Sequence, residues 1–124
     1  MFLLDGFSGT EINHLYSAFK VAKKSKCRQQ VGALVVKGGS VIAAAYNVNQ
    51  NSPTILEEEK VRSHASLCAE RRALRMVDPE KCAGAVVYVA RVQKSTGGFG
   101  VSKPCERCQK VMKELGIKRA VFVD

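Results

Sequence analysis

Apolar residues follow two patterns along the chain, one with helical spacing and one made of short continuous runs. Within residues 11–26 the apolar positions recur every three or four residues, at Ile12, Leu15, Phe19 and Ala22. With Thr10 as its N-cap, this spacing predicts a first helix. Two runs rich in valine and alanine, at 31–36 and 41–45, flank a Gly-Gly pair, which predicts a β-hairpin.

The second half of the chain alternates between the same two patterns. It predicts a helix over 65–77, a strand over 85–92, a helix over 105–115 that stops at Gly116, and a strand over 119–123. The last three elements form a β-α-β unit, whose strands are expected to be parallel neighbours. Because the hairpin strands are apolar on both faces, we expect helices on both sides of the sheet. The sequence therefore predicts an α/β fold, a three-layer α-β-α sandwich around a mixed sheet of about four strands.

The length of 124 residues suits a single domain over residues 1–124. No apolar run approaches the roughly 18 residues needed to span a bilayer. The first residues lack the basic and long apolar regions of a secretory signal, so we expect a cytoplasmic protein. In a reducing compartment, five cysteines are better interpreted as thiols or metal ligands than as disulfides.

The formal net charge is +9, from 20 basic and 11 acidic residues. This charge favours polyanionic partners such as nucleotides or nucleic acid, and it equally serves to keep a protein soluble. It is spread along the chain except for one dense basic run at residues 20–28. Both interpretations therefore stay open.

Three cysteines have the spacing of metal ligands. Cys68 is followed two residues later by Glu70, and Cys105 and Cys108 form a C-x-x-C pair. Three soft ligands leave a tetrahedral zinc ion with one open position, which is typical of a catalytic rather than a structural site. Glu70 is well placed to carry protons there. Cys27 and Cys82 match no ligand position and are expected to be inert thiols.

The predicted helices favour metal binding by these thiols. Cys68, Cys105 and Cys108 fall in the first turns of two predicted helices, where the helix dipole lowers the pKa of a thiol and favours thiolate. Zinc with three thiolates has a net charge of −1. Arg71 offsets this charge if it hydrogen-bonds to a ligand sulfur; the alternative is a solvated helix arginine.

The combination of Cys-x-Glu with Pro-Cys-x-x-Cys resembles the zinc-dependent cytidine and deoxycytidylate deaminase superfamily. The resemblance extends over nearly the whole chain. The other matching pieces are Val31-Gly32-Ala33, Asn47, Tyr88-Val89 and Ser102. It implies one Zn²⁺ per chain and a hydrolase that replaces the amine of a cytosine base with a carbonyl, with Glu70 moving the protons. It also implies that the backbone of Ala69, Ser102 and Lys103 binds the pyrimidine, and that Asn47 contacts the sugar or the base.

The chain departs from the family pattern at several positions. Nucleoside-type relatives carry Phe-Pro where Gln29-Gln30 stands, and a ribose-binding glutamate where Asn49 stands. The resemblance therefore makes Asn49 a candidate substrate contact, although its neutral side chain weakens the case for a free nucleoside. The loop over 47–62 has the length found in deoxycytidylate deaminases, and because it leads into the metal motif we expect it to lie over the site. The chain also stops at its fourth predicted strand, so we expect a short form that lacks the usual C-terminal strand and helix.

His64 is the ambiguous residue near the metal motif. Many relatives use histidine where Cys68 stands, but His64 is followed two residues later by Ser66, which cannot shuttle protons as a carboxylate does. We therefore expect His64 to cap the helix or to touch a substrate phosphate. A third possibility is that its imidazole closes the fourth metal position. In that case the chain is a non-enzymatic zinc-binding nucleic-acid module.

The reaction is better specified than the substrate. A free cytidine or deoxycytidine nucleotide is favoured by the long loop and the basic charge. Single-stranded DNA or RNA is favoured by the charge, the basic run and Phe99, a residue that would stack on a base. A free nucleoside or a nucleoside-like compound, or another aminated base, is the third possibility. The resemblance also allows a homo-oligomer in nucleotide metabolism, and nothing in the sequence indicates a membrane partner.

Overall fold

The computed structural model describes residues 6–49 and 66–124. Its helices and strands, in chain order, are α1 (Gly9–Ala22), β1 (Val31–Lys37), β2 (Ser40–Tyr46), β3 (Val48–Asn49), β4 (Ser66–Leu67), α2 (Ala69–Arg75), α3 (Pro79–Cys82), β5 (Val86–Gln93), β6 (Gly98–Gly100), α4 (Glu106–Glu114) and β7 (Arg119–Phe122). None of the described helices is long and apolar enough to cross a membrane.

The described strands form a mixed five-stranded sheet and a separate two-stranded pair. β1 is antiparallel to both β2 and β5, which confirms the predicted hairpin. β5 and β7 are parallel, as the β-α-β pattern predicted. The prediction of about four strands is corrected, because the glycine-rich segment expected to be a loop contains β6, which pairs with the last residues of β5.

β6 and β7 share one edge of β5. β7 pairs with β5 from Val86 to Val89, and β6 pairs with it from Arg91 to Gln93. β1 occupies the other edge of β5 along nearly its whole length. β5 is therefore the central strand, and most of its residues are buried.

α1 covers one face of the sheet. Its buried residues pack against Leu34, Val36, Tyr88 and Val92 of the central strands. The helix begins after Ser8, whose hydroxyl accepts from the N–H of Glu11 while the Glu11 carboxylate accepts from the N–H of Ser8. This capping box corrects the predicted N-cap at Thr10.

The other face of the sheet is covered by α2, α3 and α4, so the predicted three layers are confirmed. α2 begins at Ala69 rather than at residue 65, because Ser66–Leu67 is instead drawn into β4, which pairs with β3. α4 ends where predicted. Gly116 has a φ of +76° and donates to Lys113, while Ile117 donates to Met112, which together form a Schellman motif.

β2 does not fit the expectation that both hairpin strands are covered on both faces. Val41 is 49% exposed and Ile42 is 38% exposed, while Ala43 and Ala45 are buried. β2 pairs only with β1 among the described strands, so it forms an edge of the sheet. β1, which lies between β2 and β5, is in contrast buried along five consecutive residues.

Candidate metal and catalytic site

Three thiol groups converge at the N-terminal ends of α2 and α4. The Sγ atoms of Cys68, Cys105 and Cys108 all lie within 4.8 Å of one another, and those of Cys105 and Cys108 are 3.4 Å apart. Zinc–sulfur bonds of about 2.3 Å at tetrahedral angles place two ligand sulfur atoms about 3.8 Å apart. The spacing of the three thiols therefore fits one zinc ion.

Two of the three thiols, those of Cys68 and Cys105, belong to residues that immediately precede a helix. Cys68 is the N-cap residue of α2 and Cys105 is the N-cap residue of α4. The sequence predicted both residues inside the first turn of a helix, whereas each lies one position before that turn. Both have an extended backbone, and neither side chain caps its own helix. Their sulfur atoms are therefore turned toward each other and toward Cys108, which occupies the first turn of α4.

The sheet brings the two helix starts to one end of the molecule. α4 returns from the end of β5 to the start of the parallel strand β7, so its N-terminus lies at the carboxyl end of β5. Cys68 directly follows β4, which is held by β3 at the end of β2. Just before α4, the Ser102 hydroxyl donates to the carbonyl of Val89 and accepts from the N–H of Val123. These bonds hold in place the backbone segment that leads to Cys105.

Glu70 lies in the first turn of α2 and is only 5% exposed. Burial raises the pKa of its carboxyl group from 4.5 to about 7, and the negative charge on Cys68 adds to this shift. Its own backbone and the charge on Arg71 act in the opposite direction. The side chain is therefore an acid or base that changes protonation near neutral pH, beside the three thiols.

The thiols share their protons unequally. A hydrogen bond from Cys108 and the guanidinium of Arg71 lower the pKa of Cys68 to about 5 despite its burial. The pKa of Cys108 is raised, chiefly because its proton is held by the Cys68 sulfur. The Nη2 atom of Arg71 lies 3.8 Å from the Cys68 Sγ. Cys68 therefore ionises before Cys108, and Arg71 has the placement that the sequence analysis considered for it.

A protein-family model supports the same assignment. The model of the cytidine and deoxycytidylate deaminase zinc-binding region matches residues 10–124. The chain belongs to this deaminase family. The fold, the three-thiol cluster and the family model agree, and together they make zinc the metal that this site is suited to hold.

Solved deaminase structures share the fold. The dCMP deaminase from the cyanophage S-TIM5 is 24% identical with a TM-score of 0.65, and the match covers 89% of this chain and 79% of that chain. A cytidine deaminase from Burkholderia pseudomallei is also 24% identical, with a TM-score of 0.57 over 90% of this chain and 83% of that one. No curated protein sequence matches the chain significantly.

Two of the expected substrate contacts hold the deaminase fold together. The side chain of Asn47 is buried; its Oδ1 accepts from the N–H of Val31 at 2.9 Å and its Nδ2 donates to the carbonyl of Gln29 at 2.6 Å. The N–H of Ser102 donates to the carbonyl of Val123 at 2.7 Å, and its hydroxyl is bonded as described above. These bonds do not use the second Nδ2 hydrogen of Asn47 or the carbonyl of Ser102.

The remaining residues predicted to contact the substrate lie in different parts of the structure. Ala69 is fully buried as the first residue of α2, and Lys103 is exposed just before Cys105. Phe99 packs against Phe19 in the α1 layer, on the opposite face of the sheet from the thiols, so the structure does not bring it to the metal site. Asn49 is the last residue of β3. His64 and the rest of the predicted loop from residue 50 lie outside the described residues.

Sequence reasoning missed the role of Ser25. This buried residue donates its hydroxyl hydrogen to the carbonyl of Asn47 at 2.8 Å and accepts from the N–H of Cys27 at 3.1 Å. It therefore ties the segment after α1 to the end of β2. A serine in a basic run carries no local pattern that reveals such a contact, because both partners are backbone groups.

Proposed function

We propose that the protein is a zinc-dependent hydrolase that deaminates cytosine in a free cytidine or deoxycytidine nucleotide or nucleoside. The proposal is carried by the buried carboxyl group of Glu70 beside the three thiols. A structural zinc site has no need of such a carboxyl and closes its fourth position with a protein ligand. Within residues 6–49 and 66–124, Cys68, Cys105 and Cys108 are the only metal-binding side chains that converge in this way.

Glu70 supplies the proton transfers that the reaction requires. Zinc held by the three thiolates would act as a Lewis acid that makes water nucleophilic near neutral pH. The Glu70 carboxylate takes a proton from the attacking water and gives it to the ring nitrogen of the base, then assists its transfer to the leaving amine. Water adds at the amine-bearing carbon and ammonia leaves, so cytosine and water give uracil and ammonia.

Arg71 has a supporting role in this proposal. Three thiolates give the zinc site a net negative charge, which on its own makes water less acidic. A guanidinium 3.8 Å from the Cys68 sulfur draws part of that charge away. We therefore expect Arg71 to keep the site electrophilic enough for catalysis.

A nucleotide is the substrate that these features favour. The family includes deoxycytidylate deaminases, and the similar cyanophage enzyme has a structure in complex with dCMP and dUMP. A net charge of +9 also favours a phosphate-bearing substrate. The backbone N–H of Ala69 lies at the start of α2, where helical N–H groups have no partner within the helix, and it would bind the pyrimidine edge.

Turnover measured by mass spectrometry tests the proposal. The panel contains cytidine, deoxycytidine, dCMP, adenosine, and single-stranded oligonucleotides that contain cytosine or adenine. We expect a gain of about one dalton on a free cytosine compound, and a loss of activity on the order of 10²–10⁴-fold in Glu70→Gln with zinc retained. The matched control is Glu114→Gln, which changes an exposed glutamate at the far end of α4 and should leave activity unchanged.

Two outcomes would count against this function. Turnover by Glu70→Gln at the wild-type rate would show that the carboxyl group does not transfer the protons. A panel that stays unchanged while one zinc ion binds per chain would favour the zinc-binding module instead. Closure of the fourth metal position by His64 would then be tested with His64→Ala.

A further inference from the structure

The segment between α1 and β1, residues 23–30, presents its basic side chains outward; we call it the basic loop. Exposure alternates along it, with Ser25 and Cys27 buried and Lys24, Lys26 and Arg28 exposed. The bonds of Ser25 and Asn47 hold its backbone, and Gln30 adds two more by donating from Nε2 to the carbonyls at positions 23 and 25. The cations are thus mounted on a fixed backbone, not on a loose linker.

The basic loop lies at the same end of the sheet as the three thiols. The carbonyl of Gln30 accepts from the N–H of Val92, close to the end of β5 at which α4 begins. Lys94, just after β5, reaches back so that its Nζ lies 3.5 Å from the carbonyl of Cys27. Lys94 therefore adds a further positive charge to the loop.

These cations have no acidic partners in the part of the chain that the structure describes. The one described salt bridge joins Arg119 to Glu11 on α1, away from the loop. Lys24, Lys26, Arg28 and Lys94 form no ion pair with a described carboxylate. Such a concentration of positive charge attracts a polyanion and releases its counterions.

An aromatic cluster adjoins the basic loop on the α1 side. The ring of Phe99 lies 4.5 Å from that of Phe19 and 5.1 Å from that of Tyr16, measured between centroids. Tyr16 is 50% exposed. Lys23, the first residue of the basic loop, places its Nζ 5.0 Å from the centroid of Phe19. A half-exposed ring held edge-on by a neighbour offers a stacking surface for an unpaired base.

We propose that the basic loop, Lys94 and Tyr16 form a binding surface for single-stranded nucleic acid, with the cations on the phosphates and the tyrosine ring on a base. A single strand is favoured over a duplex because paired bases do not present their faces to an aromatic side chain. The strand would pass the end of the sheet that holds the thiols. The surface does not depend on which free compound the site accepts.

The test measures binding without turnover. A fluorescein-labelled oligothymidine of about 20 nucleotides has no exocyclic amine to lose, and fluorescence anisotropy reports its binding at a series of salt concentrations. Removing two phosphate contacts with Lys26→Gln and Arg28→Gln should weaken binding about tenfold and reduce the slope of log K against log salt by about 1.4. Tyr16→Ala should weaken binding with the slope unchanged, because stacking releases no counterions.

The matched control is the double variant Lys113→Gln and Lys118→Gln. It removes the same charge from exposed residues at the opposite end of the sheet, where the N–H of Lys118 donates to the carbonyl of Ala85. It should bind the oligonucleotide like the wild type. An equal loss in this control would show that net charge alone drives binding and would overturn the proposal. So would equally tight binding of a duplex of the same length, or no binding by the wild type.

Discussion

Replacing Glu70 with glutamine should change how the stability of the zinc-free protein depends on pH. The carboxyl group is 5% exposed, and burial raises its pKa from 4.5 to about 7 in the folded state. The folded protein therefore holds the Glu70 proton more tightly than the unfolded chain does. The resulting stability is fully present below the unfolded-state pKa and is lost as the pH rises through the folded-state pKa.

The size of the effect follows from the shift. One pKa unit corresponds to about 1.4 kcal/mol, so the Glu70 carboxyl lowers the free energy of unfolding by about 3 kcal/mol between pH 4 and pH 8. Glutamine has no charge to desolvate. The free energy of unfolding of Glu70→Gln minus that of the wild type should therefore rise by about 3 kcal/mol across this range.

Urea unfolding at a series of pH values, with chelator and reductant present, measures this difference. Comparing the two proteins cancels the titration of the remaining groups, apart from the coupling between Glu70 and Cys68. A difference that stays flat with pH would refute the claim that the carboxyl is desolvated when the protein is folded. With zinc bound the rise should shrink, because a nearby cation favours the carboxylate.

Two further predictions concern the fold and the metal. Gly32→Ala should lower the free energy of unfolding by about 1–3 kcal/mol or more, because the added Cβ would lie 2.5 Å from the backbone nitrogen of Ala22 and α1 would have to shift. The control is Gly9→Ala in α1, where a Cβ meets open space and should not destabilise the protein. An equal loss of stability in both variants would contradict the packing argument. Cys108→Ser should weaken zinc binding about a hundredfold, measured by competition with a chromogenic chelator, whereas Cys82→Ala, which changes a buried thiol outside the cluster, should leave it unchanged.

The elements that the sequence predicted well are those whose signals are local. Gly38 and Gly39 both have positive φ angles and connect β1 to β2, as the Gly-Gly pair between two apolar runs indicated. The stop at Gly116 is of the same kind. The start of α1 also has a local signal, since Ser8 followed three residues later by Glu11 is the pattern of a capping box.

The features that the sequence did not predict depend on distant partners. β6 is three residues with two glycines and has no strand pattern of its own; it is a strand only because the end of β5 pairs with it. The same applies to Ser66–Leu67, which continues no helix because β3 pairs with it. At the site, the spacing of Cys68, Glu70 and the C-x-x-C pair located the thiols and the carboxyl. It gave no hint that Asn47 is committed to backbone bonds, since its partners are 16 and 18 positions away.

The position of two thiols at helix starts gives zinc a role beyond chemistry. A serine or aspartate side chain at an N-cap accepts a hydrogen bond from a helix N–H group, but the side chains of Cys68 and Cys105 accept none. An ion held by both acts as a cross-link that closes a segment of about 40 residues, and by loop entropy alone such a link is worth about 4 kcal/mol. Cellular zinc supply would then control not only the activity of this deaminase but also how long the chain survives proteases.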